Sequence, residues 1–416
     1  MRDMFTRFRD RILADETKSL AACIALAAAV LALACIWKYG IFAYSGIDLA
    51  YFNQVFWNTV HGRPFVQSIH PHLSLGDHAE LAILLLAPLY ALFPDPRTLL
   101  VMQVVALALT AIPLSLFVRA RLETLGAGSE GRYFKTFTPL LFALLWLASP
   151  LVHNIALFEF HVLAFAPLPL MTALLMYERG RKLPFLASLL ASLLVREDVA
   201  LVVAAFGLLA WMERKPLWWR IVPLALGAGW FLAAMRLIGH FAPAAGYKFA
   251  IYYAWLGGSP AEMAINAVSH PLRVLGRIFQ YRNAEMIIGL LLPFAFMPLR
   301  TPRRLLLAIG PFAQLALGAS GGGPLTIQAH YSSLFLPGLF ASAVDALPAM
   351  PGLFVRIRGW FDQREARAAA SLLLIIGGAY SALVIGPLPS ILSMAADRTL
   401  ADSCSCRDTG LDRQDP

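Results

Sequence analysis

Charge is what this sequence has least of. Only 14% of its 416 residues are Asp, Glu, Lys or Arg, while 59% are hydrophobic and mean hydropathy is +0.67. Soluble domains carry about 25% charged and about 45–50% apolar residues, so this deficit excludes a soluble globular protein. Cysteine is scarce too. Cys23 and Cys35 fall in the first apolar run and Cys404 and Cys406 in a polar tail, spacings that give neither a disulfide framework nor a zinc pattern. No convincing small-x-small cleavage site accompanies the first run, 20–43, which is too long for a signal-peptide core; it is expected to remain as an anchor. Acidic residues number 25 against 34 basic, and the surplus of +9 sits mostly in short loops between apolar runs. That pattern speaks for membrane orientation and against a nucleic-acid partner.

What is present is apolar length. Runs at 20–43, 98–118, 220–238 and 368–388 reach or approach the ~20 residues of a spanning helix, and lipid tolerates helices because they satisfy their own backbone. The expected class is an all-α, polytopic transmembrane bundle in the plasma (inner) membrane. The basic segments are the N-terminus, 119–135, 178–182, 213–220, 300–304 and 356–367, and together they hold 22 of the 34 Lys and Arg. Placing all six in the cytoplasm requires an even number of spans between each and the next. The run 79–93 then cannot cross: as a helix it would rise only ~22 Å against a ~30 Å hydrocarbon core, so an interfacial or re-entrant helix is expected. Eleven spans follow, near 20–43, 98–118, 134–150, 162–177, 183–195, 199–212, 220–238, 286–299, 305–319, 326–345 and 368–388. The N-terminus is inside and the tail outside. One membrane domain, 1–388, is expected, with its first outer loop at 44–97, followed by a short polar tail at 389–416, taken as disordered. The pair 183–195 and 199–212 also reads as one long tilted helix broken only by "RED".

This topology gathers all nine histidines on the outer side, together with Asp48, Asp77, Glu80, Glu159, Glu197 and Asp198. In "YSGIDLAYFNQVFWNTVHGRPF", Phe52, Val55, Phe56 and Val60 form an apolar helical stripe opposite Asn53, Gln54 and His61. Asp48 lies in the first turn of that helix. It reads either as a general base or as half of a Ser45-x-x-Asp48 capping box. Ser74-x-x-Asp77 is a second such box, expected to start the helix 79–93. His70, His72 and His78 read either as ligands of a divalent metal, together with Asp77 or Glu80, or as interfacial residues. Glu159 and His161 in "HNIALFEFH", Glu197 in "RED", and His330 and Tyr331 in "SGGGPLTIQAHYSSLF" are ionisable or polar groups at membrane depth and so candidates for a cavity. Arg273 and Arg277, four apart on one helix face, suit a phosphate or a snorkelling role among headgroups.

Taken as a set, "GIDLAYFNQVFWNTVHGRPF", "LGDHAELAILLLAPLYALFPDPRTLLVMQ", "FEFH", "REDVAL", "SHPLRVL" and "AHYSSLFLPGLF", spanning about residues 40 to 345, resemble a widespread prokaryotic family of predicted membrane proteins of unknown function. A first span, an outer loop with an acid and interfacial helices, and a second span also resemble GT-C membrane glycosyltransferases, with which that family is grouped. The resemblance implies sugar transfer from a polyprenyl-phosphate-linked donor to an acceptor on the outer face, with Asp48 as the catalytic carboxylate and a divalent metal in some members. It would make His72, Asp77, His78, Glu159, His161, Glu197, His330 and Tyr331 cavity residues and Arg273 or Arg277 the donor-phosphate grip. Membrane lipid is the surrounding partner. Asp48 stands alone between Ile47 and Leu49, where GT-C enzymes often have two nearby acids. The rival expectation is a transporter or flippase of lipid-linked sugars, which should show paired repeats and polar groups at both faces; no clear repeat is found.

Overall fold

The computed structural model describes residues 16–125, 132–242, 248–319, 322–349, 363–387 and 389–391. The basic N-terminus up to residue 15, most of 356–367, and the tail beyond 391 with Cys404 and Cys406 lie outside the described residues. Those described form helices joined by short 3-10 turns, and no strand is found among them. In chain order they are α1 (Glu16–Gly40), α2 (Ile47–Val60), α3 (Ala82–Leu92), α4 (Pro96–Leu109), α5 (Ala111–Thr124), α6 (Arg132–Leu147), α7 (Pro150–Leu157), α8 (Pro167–Glu178), α9 (Lys182–Leu193), α10 (Val199–Met212), α11 (Leu217–Phe241), α12 (Pro260–Ser269), α13 (Pro271–Ile278), α14 (Tyr281–Leu291), α15 (Leu306–Leu317), α16 (Pro324–Gln328), α17 (Leu336–Ala346) and α18 (Gln363–Val384).

Local chemistry explains many of the starts. Proline opens α4, α7, α8, α12 and α13, where a missing N–H costs nothing, and Asp95 caps α4 by accepting the Arg97 amide at 2.8 Å. Five stretches are long and apolar enough to cross a membrane: Glu16–Gly40, Pro96–Thr124, Phe137–Leu157, Leu217–Phe241 and Glu365–Ile391. The others are shorter apolar helices. Where α10 and α11 pack, Gly207 and Gly227 let the backbones close: a Cβ on Gly227 would stand 2.6 Å from the Ala200 carbonyl, and one on Gly207 2.5 Å from that of Arg220.

The bundle has two polar ends. At one, Glu16 at the start of α1 meets Arg119 in α5 at 2.6 Å; at the other, Tyr39 and Pro96 line one shallow pocket. The chain therefore leaves α1 and re-enters at α4 on the same side, and residues 41–95, including α3, do not cross the bundle. Helix α3 is shorter than expected and lacks the Ser74–Asp77 cap. Ser74 sits in its own 3-10 turn, α3 begins at Ala82, and its first turn is held by the Ala82 amide donating to the Leu194 carbonyl at 2.7 Å.

The alternatives for 183–212 resolve into two helices, α9 and α10. Lys182 at the start of α9 lies over Trp218, and Glu213 just after α10 accepts from the Tyr177 hydroxyl at 2.8 Å, so both helices begin or end together while 194–198 turns at the opposite end. Near Glu213 lies an ionic knot that ties α5, α8 and α17 together. Arg121 and Arg304 share Asp345 and Glu178 across four contacts of 2.7–3.2 Å, and the Arg304 side chain is only 1% exposed.

Candidate functional site

At the end opposite the knot, a cavity of about 460 Å³ opens among α2, the segment 69–80, the turns at 161 and 196–198, the segment 249–253, and the chain around 314–331. Six elements thus converge on it.

Helix α2 brings Asp48, Tyr51 and Phe52 to the wall one turn apart, while Phe52 and Phe56 pack on Phe160 beneath. Its start is not the expected capping box. Gly46 adopts φ +83°, a left-handed conformation that suits glycine, and Ser45 turns away to donate its hydroxyl to Glu159. The Glu159 carboxylate itself caps the helix, accepting the Gly46 amide at 3.1 Å and the Leu49 amide at 2.8 Å. A buried anion at the positive end of α2 is well placed for both hydrogen bonding and dipole. Glu159 therefore holds the helix that carries Asp48 and is not in the cavity wall.

Next to Glu159 the chain runs extended to His161. Gln103 on α4 fixes this segment by donating to the carbonyls of Ala156 and Glu159, both at 3.0 Å, and accepting the His161 amide at 3.1 Å. His161 Nε2 then stands 3.3 Å from Asp48 Oδ2, and its ring stacks on His330 with centroids 3.5 Å apart. Burial pushes His161 below its ordinary range, against the raising effect of Asp48, so the ring is neutral and offers Nε2–H to the carboxylate. Its Nδ1 has no hydrogen-bond partner among the described residues.

The turn between α9 and α10 adds Arg196, Glu197 and Asp198, all buried. Arg196 and Asp198 pair side by side. Glu197 reaches across to His78, 2.7 Å from Nδ1, and accepts the Ala79 amide at 3.1 Å. Burial alone would push His78 down, but Glu197 raises it above its ordinary value; the same contact outweighs burial and holds Glu197 below the carboxylate range. Glu80, buried beside them, is pushed up to about 7 by burial, despite the opposing charges of His78 and Arg196. A carboxyl titrating near neutrality is a candidate proton donor or acceptor.

Of the residues expected at the site, Asp48, Asp77, His78, His161, Glu197, His330 and Tyr331 line the cavity. His72 lies just behind the wall. Arg273 and Arg277 are not in it: both guanidinium groups lie over Trp255, 5.6 Å from the ring centre, and Arg277 Nη2 donates to the carbonyl of Gly318 at the rim, at 3.4 Å. The guanidinium inside is that of Arg196. Of the expected ligands, His78 is committed to Glu197, while His70, His72 and Asp77 lie together. The wall residues Tyr51, Tyr252 and Gln314 were not given a cavity role by the sequence, and Gln314 carried no signal of one.

No curated protein and no solved structure matches the chain. A family model described as "Predicted membrane protein (DUF2079)" matches residues 38–385, a span that includes every wall residue of the cavity, and the chain belongs to that family.

Proposed function

We propose that this protein is a membrane glycosyltransferase of the GT-C kind, taking a sugar from a polyprenyl-phosphate-linked donor at the outer face of the membrane. The observation that carries the reading is the Asp48–His161 contact, 3.3 Å, in the wall of a cavity lined by ionisable side chains at one end of the bundle. In the reaction, an acceptor hydroxyl oxygen bonds to the anomeric carbon of the sugar and gives its proton to Asp48. The bond from that carbon to the carrier phosphate breaks, and the phosphate leaves with the electron pair. His161 keeps the carboxylate oriented, Glu159 holds its helix, and Glu80 is a second group able to exchange a proton near neutral pH.

The depth of the cavity suits a lipid-borne donor. Helices α9 and α10, of 12 and 14 residues, reach the Arg196–Asp198 turn from the opposite polar end. At 1.5 Å per residue they cover only about 18–21 Å of a ~30 Å hydrocarbon core, so the cavity floor lies below the membrane surface. Arg273 and Arg277 over Trp255 would meet the carrier phosphate at the rim, with Arg196 inside. In the full topology we propose, the N-terminus is cytoplasmic and the tail is outside.

Native mass spectrometry of the detergent-purified protein tests the donor class. The expected result is a co-purifying polyprenyl-phosphate species that is displaced by added polyprenyl-phosphate sugar. Absence of any such species, with no binding of the added compound, contradicts the reading; binding with no transfer to any acceptor assigns the protein to the transporters of lipid-linked sugars.

A further inference from the structure

We infer that His70, His72 and Asp77 form a binding site for one divalent transition-metal ion, with an open coordination position facing the cavity. One ligand atom from each lies within 4.8 Å of the other two. The chemistry of the donors fits. His72 Nδ1 donates to the Leu73 carbonyl at 2.9 Å, so Nε2 is the ring nitrogen turned toward Asp77, 3.9 Å from Oδ1. Two ligand atoms about 2.0–2.2 Å from an ion stand roughly 3–4 Å apart, so a cation fits between them with little movement. His70 Nδ1, now 2.7 Å from Asp77 Oδ2, completes the set. Two imidazoles and one carboxylate suit zinc and its neighbours, and three protein ligands leave a position for water or an anionic oxygen.

The loop is built to hold this arrangement. Buried Gln67 commits its whole amide to the backbone: Nε2 donates to the carbonyls of His70 (3.0 Å) and His72 (2.5 Å), and Oε1 accepts the amides of Ile69 (2.6 Å) and His70 (2.8 Å). Gly76 leaves room for the His72 ring, since a Cβ there would come 2.7 Å from Nδ1. The Tyr51 hydroxyl, one turn along α2 from Asp48, orients Asp77 from outside at 2.8 Å, as a carboxylate ligand's hydrogen-bond partner does in metal sites. His70 and Asp77 line the cavity, so the open position faces the space in which Asp48 lies. This site does not depend on what the cavity transforms.

The test is zinc binding to full-length protein stripped with chelator, read by calorimetry and elemental analysis, with X-ray absorption at the zinc edge. One ion per chain is expected, with scattering from two imidazoles. His72→Ala and Asp77→Asn should weaken binding by about tenfold or more, Gly76→Ala should weaken it with all three ligands retained, and His61→Ala, at the exposed end of α2, should not change it. Substoichiometric zinc in the wild type, binding that survives both ligand substitutions, or an edge spectrum without imidazole scattering each overturns the site. The spectrum needs only the wild-type protein, so a variant that fails to fold does not blunt the test.

Discussion

Replacing Glu159 with Ala removes the anion that starts α2. The Gly46 and Leu49 amides then lose their acceptor, and Leu49 is buried at 4% exposure, so water cannot fully replace it. A buried donor left unmade costs about 1–3 kcal/mol, and Gly46, half-buried, contributes less than Leu49, which together with the lost charge at the helix dipole gives about 2–4 kcal/mol. The loss is local, because the rest of α2 remains anchored by Phe52, Val55 and Phe56 in the core. At tenfold per 1.4 kcal/mol, amide hydrogen exchange in peptides covering 46–50 should accelerate by about 30-fold to several hundredfold, while peptides from α10 stay unchanged. Glu159→Gln keeps one acceptor oxygen and should fall between. Ser45→Ala removes only a donor to Glu159 and should have a smaller effect still. If the 46–50 peptides of Glu159→Ala exchange as in the wild type, Glu159 does not hold the helix and the account of how Asp48 is positioned fails.

Three further outcomes are expected. Raised from an ordinary 4.5 to about 7, Glu80 favours its protonated form in the fold; the stability this gives is full below pH 4.5 and is lost as pH rises through 7. At 1.36 kcal/mol per pH unit that loss is about 3 kcal/mol, so thermal unfolding in detergent from pH 4.5 to 8 should show it in the wild type and not in Glu80→Gln; parallel curves refute it. Asp345→Ala strips a carboxylate from both Arg121 and the fully buried Arg304, and should destabilise the protein by about 3–5 kcal/mol in denaturation; a change below about 1 kcal/mol would mean that the knot is not a structural tie. With native cysteines replaced, single cysteines at Asp95 and Glu123 lie at opposite ends of the α4–α5 pair, so an impermeant thiol reagent on intact cells should label Asp95→Cys alone; labelling of Glu123→Cys reverses the proposed orientation.

Helix positions were legible because apolar length and prolines specify them locally. That 79–93 would not cross was expected from length and charge, and in the structure the chain returns to one end of the bundle between Gly40 and Pro96. The capping boxes misled for a physical reason. Ser45 and Ser74 have the right spacing, but Glu159, more than 100 residues away, is a stronger acceptor for the start of α2, and no local pattern announces it. Likewise His78 looked equivalent to His72 until the fold brought Glu197 to 2.7 Å. The basic segments read as orientation signals also hold the half-buried Arg121 and the buried Arg304, both in ion pairs with Glu178 and Asp345. A charge count distinguishes a loop arginine from a core one only when the partner acids on other helices are known.

The role of Asp48 is tested most directly by transfer of radiolabelled sugar from a polyprenyl-phosphate donor by purified wild-type and Asp48→Asn protein, with donor binding measured in parallel. Because Glu159 and not Asp48 caps α2, the substitution keeps shape and helix start and removes only the proton acceptor beside His161. Turnover should fall by about a hundredfold or more with donor binding retained. Transfer by Asp48→Asn at the wild-type rate would contradict the assignment of Asp48 as the base.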